Sequence, residues 1–173
     1  FFCLVMRGPW SVTQCGSSAA SVGYRGQLLE GPLTPDSEAG HFVAGILAHA
    51  RELTAFCNPV PNSYARLGAN EAPLYISWSR QNRSQLVRLP SASGDLCRVE
   101  LRGPDPAGNP YLVIGLILAA GLDGIARKLP LAEPVNRNLF HPSAAAGLES
   151  LPRSLREAIT VAAQSDFIAA ELP

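Results

Sequence analysis

Between residues 58 and 106 the chain sets Arg66, Arg83, Arg88, Arg98 and Arg102 beside two glutamates, Glu71 and Glu100. Guanidinium forks pair with carboxylates and phosphates in bidentate fashion. Pro, Asn, Ser and Gly interrupt the stretch, as in Asn58-Pro59-Val60-Pro61-Asn62 and Gly103-Pro104-Asp105-Pro106. Residues of these types place the charges on loops and at strand ends. The chemistry they suit is recognition of an anionic substrate. The formal net charge is zero, so the arginines describe a local site and not a general basic field.

The elements that must hold these residues are readable from Thr34 onward. Thr34-Pro35-Asp36-Ser37-Glu38 predicts a helix start, with an N-cap candidate, Pro in the first turn and acids near the positive end. Phe42, Ile46, Ala50 and Leu53 recur at helical spacing, predicting one helix that ends near Cys57. His41 and His49 fall on it and are read as surface or packing residues. Alternation of Leu74, Ile76 and Trp78, and of Val99 and Leu101 about Glu100, predicts strands. It also places Arg98, Glu100 and Arg102 on one strand face. Such a face is costly to bury without partners. A long core helix is predicted from Pro110 to Lys128, a loop from Pro130 to Pro142, a helix Leu155–Ala163 capped by Ser154, and a last helix Asp166–Leu172. Residues 1–33 show no periodicity and are read as irregular or unassigned, apart from the domain at 34–173.

With 173 residues, 47% hydrophobic and 16% charged, the chain is sized and composed for one globular core. The neutral balance argues against a nucleic-acid or anionic-membrane partner. Cys3, Cys15, Cys57 and Cys97 form no paired motif, so reduced thiols and a cytoplasmic protein are expected. The short apolar run before Arg7 lacks the basic start of a signal peptide. No apolar run approaches the ~20 residues of a membrane span.

Five pieces in this order give a resemblance: Asn62-Ser63-Tyr64-Ala65-Arg66-Leu67, Glu71-Ala72-Pro73, Asn82-Arg83-Ser84, Arg98-Val99-Glu100-Leu101-Arg102, and Pro104-Asp105-Pro106-Ala107-Gly108-Asn109-Pro110-Tyr111-Leu112. From about His41 to Phe140 the chain resembles the catalytic domain of glutamine synthetase, type I-like. The resemblance implies an α+β fold, with antiparallel strands forming a concave wall backed by helices. It implies ATP-dependent ligation of ammonia to glutamate through gamma-glutamyl phosphate, with Mg2+ or Mn2+ as metal. Arg66 and Arg102 resemble the arginines that grip the substrate glutamate, with Asn62 and Ser63 holding the loop that aims Arg66. Glu71 resembles the flap glutamate that shields the acyl phosphate and takes a proton from ammonium. Arg83 resembles the arginine on the transferring phosphoryl group, Arg88 one that contacts nucleotide phosphates, and Glu100 a metal ligand. A cytoplasmic, ring-forming homo-oligomer, a dodecamer, is implied too.

Departures from the family pattern carry expectations of their own. Phe140 stands where some branches carry an adenylylated tyrosine, so that control is expected to be absent. A lysine before the strand of Glu100 is missing. The carboxylates that supply most metal ligands in the family are not found upstream, nor is the small N-terminal domain or the C-terminal tail. The chain therefore reads as a fragment that is inactive alone, with an unrelated or garbled start. Two alternatives stay open for the whole protein: a gamma-glutamyl ligase using a larger amine, and a non-catalytic paralogue.

Overall fold

The chain is described by a computed structural model that covers residues 3–6, 13–15, 21–24, 34–69, 72–89 and 99–172. Ser37 caps the first helix, α1 (Glu38–Ala48): its hydroxyl accepts from Gly40 N at 3.1 Å, so Pro35 falls before the helix and not in its first turn. The Thr34 carbonyl accepts from the Ser37 hydroxyl. The expected single helix is two, because the backbone breaks at His49 before α2 (Ala50–Cys57). A short α3 (Pro61–Arg66) follows, begun by proline. Then come α4 (Pro110–Ala126), α5 (Leu155–Ala163) and α6 (Asp166–Glu171). Asn109 caps α4 by accepting from Tyr111 N and Leu112 N, with Pro110 next in line.

Among the described residues, six strands make one sheet: β1 (Cys3–Met6), β2 (Thr13–Cys15), β3 (Ser21–Tyr24), β4 (Trp78–Ser79), β5 (Val87–Arg88) and β6 (Val99–Leu101). Their order is β2-β3-β1-β6-β5-β4. The fold is α+β, and the sheet is mixed. β1–β6, β5–β6 and β2–β3 are antiparallel, while β1–β3 and β4–β5 are parallel. Three strands thus lie in the stretch that carries no sequence periodicity. Leu74 and Ile76, expected in a strand, pair outside it: Ile76 N donates to Glu149 O and Leu151 N to Leu74 O.

The core lies where α1, α2 and α4 meet the sheet. Val43, Ile46, Leu53, Leu86, Val87, Val99, Val113, Leu116 and Ile117 are buried there. Each such aliphatic contributes about 1.5–3 kcal/mol of transfer free energy. α4 is apolar on all sides, yet only one face is covered. Val113, Leu116, Ile117 and Ala120 are buried, whereas Tyr111 is 86% and Leu122 58% exposed.

α1 and α4 approach so closely that glycines form the contact. A Cβ on Gly45 would collide with the Ala120 carbonyl and lie 2.8 Å from Gly124 Cα. A Cβ on Gly124 would lie 2.6 Å from Gly45 Cα. His41 adds a tether across the same crossing, its Nδ1–H donating to Leu129 O at 2.8 Å.

His49 is buried at the helix break and is more than a packing residue. Its Nδ1 lies 2.9 Å from Glu52 Oε2 and its Nε2 2.9 Å from Asp123 Oδ2 on α4. Its ring stacks on Phe167 of α6. Ser165, the α6 cap, donates to the same Glu52 oxygen at 2.7 Å. Asp123 also accepts from Arg127. Hydrogen bonding from His49 in the first place, and Arg127 in addition, hold the Asp123 carboxyl below the usual aspartate range. Among the described residues, no helix is long and apolar enough to cross a membrane.

Candidate anion-binding site

Arg66 is the last residue of α3, where the sequence predicts a loop. Its Nε–H donates to Asp105 Oδ2 at 3.0 Å. Its Nη2 donates to Asn58 Oδ1 at 2.8 Å and to the Gly103 carbonyl at 2.6 Å. Asp105 is itself fixed. Its backbone N–H donates to Cys57 O at 2.7 Å, and its Oδ1 accepts from Ala107 N at 2.8 Å. The end of α2 and the turn before α4 are therefore joined through one guanidinium. The neighbouring Cys57 thiol is pushed up to about 12, chiefly by burial, with the Arg66 charge pulling the other way. It stays protonated and is no nucleophile.

The residues beside Arg66 act differently from expectation. Asn62 is exposed, and Ser63 is buried with its hydroxyl unpartnered among the described residues. Ser63 holds the turn through its backbone, N–H to Val60 O at 3.0 Å. The Tyr64 hydroxyl is likewise buried without a partner among the described residues. Burial, and then the nearby Cys57 and Glu157, push it up to about 12.

Glu100 is buried in the middle of β6. Arg88, its register partner on β5, donates from Nη1 to Glu100 Oε2 at 2.8 Å. Arg88 Nε also reaches Gln81 O at 3.2 Å. Arg102 follows β6, its backbone N–H bonded to Leu86 O, and its side chain is half-buried. Because Arg66 bonds Gly103, the segment 100–103 gathers Arg66, Arg88, Glu100 and Arg102 along one stretch of backbone. Glu71 and Arg98 lie outside the described residues.

Arg83 sits on an exposed turn ahead of β5. The residues flanking it anchor that turn. Asn82 Nδ2 donates to the Asn136 and Arg137 carbonyls at 3.0 and 2.9 Å. Asn82 Oδ1 accepts from Ser84 N and Oγ, and Ser84 Oγ accepts from Leu139 N at 2.9 Å. Gln85, fully buried, donates to Arg137 O at 3.0 Å and accepts from Ser77. The loop predicted from Pro130 to Pro142 is thus stitched to the turn that bears Arg83.

A divalent cation prefers several oxygen ligands. Glu100 fits as one such donor, its carboxylate being buried and already facing a cation, Arg88. Among the described residues no group of three His, Cys, Asp or Glu side chains could hold a metal ion. These residues therefore offer one ligand and not a shell.

Sequence reasoning missed Asp105 and Asn58 as partners of Arg66. Asp105 stands in Gly103-Pro104-Asp105-Pro106, and its place between two prolines was the available signal. The pairing itself spans 39 residues, beyond the reach of any local pattern.

A comparison with family profiles matches residues 30–173 to "Glutamine synthetase, catalytic domain". Glutamine synthetase of Methanosarcina mazei is 49% identical over 142 residues, covering 79% of this chain and 32% of that protein. Glutamine synthetase of Staphylococcus epidermidis is 48% identical over 135 residues, covering 75% of this chain and 30% of that protein. The chain thus spans about a third of the length of these relatives. A solved structure described as a GmaS/ADP complex superimposes with a TM-score of 0.74 at 35% identity, over 84% of this chain and 35% of that one.

Proposed function

The chain belongs to the glutamine synthetase family of glutamate–ammonia ligases, and from that premise we propose that the protein carrying it ligates ammonia to glutamate with ATP. The observation that carries this reading is the gathering of Arg66, Arg88, Glu100 and Arg102 along residues 100–103.

In this reading Arg66 and Arg102 bind and orient the substrate glutamate. Its gamma-carboxylate oxygen attacks the terminal phosphorus of ATP, ADP leaves, and gamma-glutamyl phosphate remains. Arg83 stabilises the charge on the transferring phosphoryl group, and Arg88 holds nucleotide phosphates. Glu71 closes over the acyl phosphate, excludes water and takes a proton from ammonium. The ammonia nitrogen then bonds to the acyl carbon and phosphate departs. Glu100 is a donor for Mg2+ or Mn2+, which when bound would neutralise phosphate charge. Arg88 would then turn from Glu100 toward phosphate. The family reading carries with it a ring-forming homo-oligomer, of dodecameric type, in the cytoplasm, and the uncovered apolar residues Tyr111, Leu112 and Leu122 of α4 call for cover by some further part of that protein.

A second reading, ligation of a larger amine, is kept because the superimposing structure bears the name GmaS and not glutamine synthetase. The test is ADP release by the full-length protein with glutamate and either ammonia or a series of primary amines. Ammonia-dependent glutamine formation is expected. Preference for a larger amine would establish the second reading. No ADP release with any amine would leave a non-catalytic paralogue.

A further inference from the structure

We propose that Asp105 is a positioning residue for carboxylate recognition: it locks the Arg66 guanidinium so that the Nη1 edge alone is presented to substrate. This rests on the reading of Arg66 as a ligand of the substrate glutamate.

Arginine carries five N–H donors. Three of Arg66's are committed within the protein: Nε–H to Asp105, and the two on Nη2 to Asn58 and Gly103. Both bidentate modes need Nη2, the side-on edge pairing it with Nε and the end-on edge pairing it with Nη1. Neither is open while these bonds stand. The two protons on Nη1 are what Arg66 can offer an incoming carboxylate.

Asp105 is the one charged member of the cradle, and its side chain is 16% exposed. It needs both oxygens. Oδ1 accepts from Ala107 N–H, which shapes the turn leading to α4, and Oδ2 accepts from Arg66. A carboxamide has one oxygen and cannot serve both donors at once. Its nitrogen would face either the Ala107 N–H or the Arg66 Nε–H, donor against donor. The carboxylate also compensates the guanidinium charge, so Arg66 stays in place while substrate is absent.

The test uses the full-length protein with Asp105→Asn, Arg66→Lys and the double variant. Asp105→Asn should raise the KM for glutamate about tenfold, the loss of one charge-assisted hydrogen bond, and leave the KM for ATP nearly unchanged. In the Arg66→Lys background the same replacement should add little, because the group it orients is gone. Equal effects of Asp105→Asn in both backgrounds would show a general structural role and overturn the proposal. Arg66→Lys impaired for glutamate with Asp105→Asn silent would overturn it while sparing the reading of Arg66. Arg66→Lys without effect on glutamate would remove that reading and the proposal with it. If Asp105→Asn does not fold, Asp105→Glu, which keeps the charge but displaces it, replaces it in the same cycle. Coupling to Arg66 is again the expected result and additivity the overturning one.

Discussion

Arg88 and Glu100 are register partners on adjacent antiparallel strands, joined by a 2.8 Å ion pair with side chains 19% and 9% exposed. Each compensates part of the other's charge in a largely dry place. Removing one partner of a buried pair costs up to about 3–5 kcal/mol, and less where other groups still face the remaining charge. Glu100→Ala and Arg88→Ala should each destabilise the chain, somewhat below that range. The double variant Arg88→Met with Glu100→Leu should recover a large part. Urea unfolding checks this, and single variants as stable as the parent would show that the pair carries little.

The arginines should separate by kinetic signature in the full-length protein. Arg66→Lys and Arg102→Lys keep charge but lose guanidinium geometry. We expect kcat/KM for glutamate to fall about tenfold or more for each, with the KM for ATP changed much less. Arg83→Lys should lower kcat with little change in the glutamate KM, because its partner charge develops in the transition state. Steady-state kinetics with each substrate varied is the measurement. An Arg66→Lys variant altered only toward ATP would overturn its assignment.

The glycines of α1 and α4 predict opposite signs for one kind of substitution. Gly45→Ala and Gly124→Ala force a methyl against backbone atoms and should destabilise by about 2–3 kcal/mol. Gly115→Ala, also on α4, meets nothing within 4 Å. It should stabilise by about 0.5–1 kcal/mol through helix propensity. Denaturant midpoints of the three variants decide it.

Acid should find Asp123. Its folded-state value is depressed below the unfolded one, first by the hydrogen bond from His49. The stability it adds is present above the ordinary aspartate range of about pH 4. It is lost as pH falls through the lower folded value. Asp123→Asn should therefore flatten the fall in thermal midpoint below pH 4, and His49→Leu should do so in part. An unchanged acid slope in Asp123→Asn would exclude this linkage.

What was legible in the sequence was local. Pro110 marked the start of α4, and Ser154 announced α5, because a helix start is decided within four residues. The break at His49 was hidden. The apolar spacing from Phe42 to Leu53 runs straight through it, with no Pro or Gly at the junction; the carboxylates facing the His49 ring come from α2 and α4. β1, β2 and β3, of three or four residues each, lie in a stretch rich in Gly, Ser and small residues and left no trace. Alternation did place Glu100 on a strand and flag the cost of burying it. Arg88, which meets part of this cost, is found by cross-strand register, which a single strand's text does not contain. The candidate site residues could be named one by one from the sequence. The cradle of Arg66 was not, since Asp105 and Gly103 arrive from another part of the chain.

The glycine contact between α1 and α4 has no side chains in it, and so nothing there can repack. Elsewhere in a core, a displaced neighbour is absorbed by a change of rotamer. Here any shift of one axis moves the other as a rigid rod. α4 begins five residues beyond Asp105. α1 leads, across the break at His49, into α2, whose last carbonyl, Cys57 O, holds the Asp105 backbone. The two helices whose spacing the glycines set are thus each connected, by a short stretch of chain or by one further helix, to the aspartate that holds the Arg66 guanidinium.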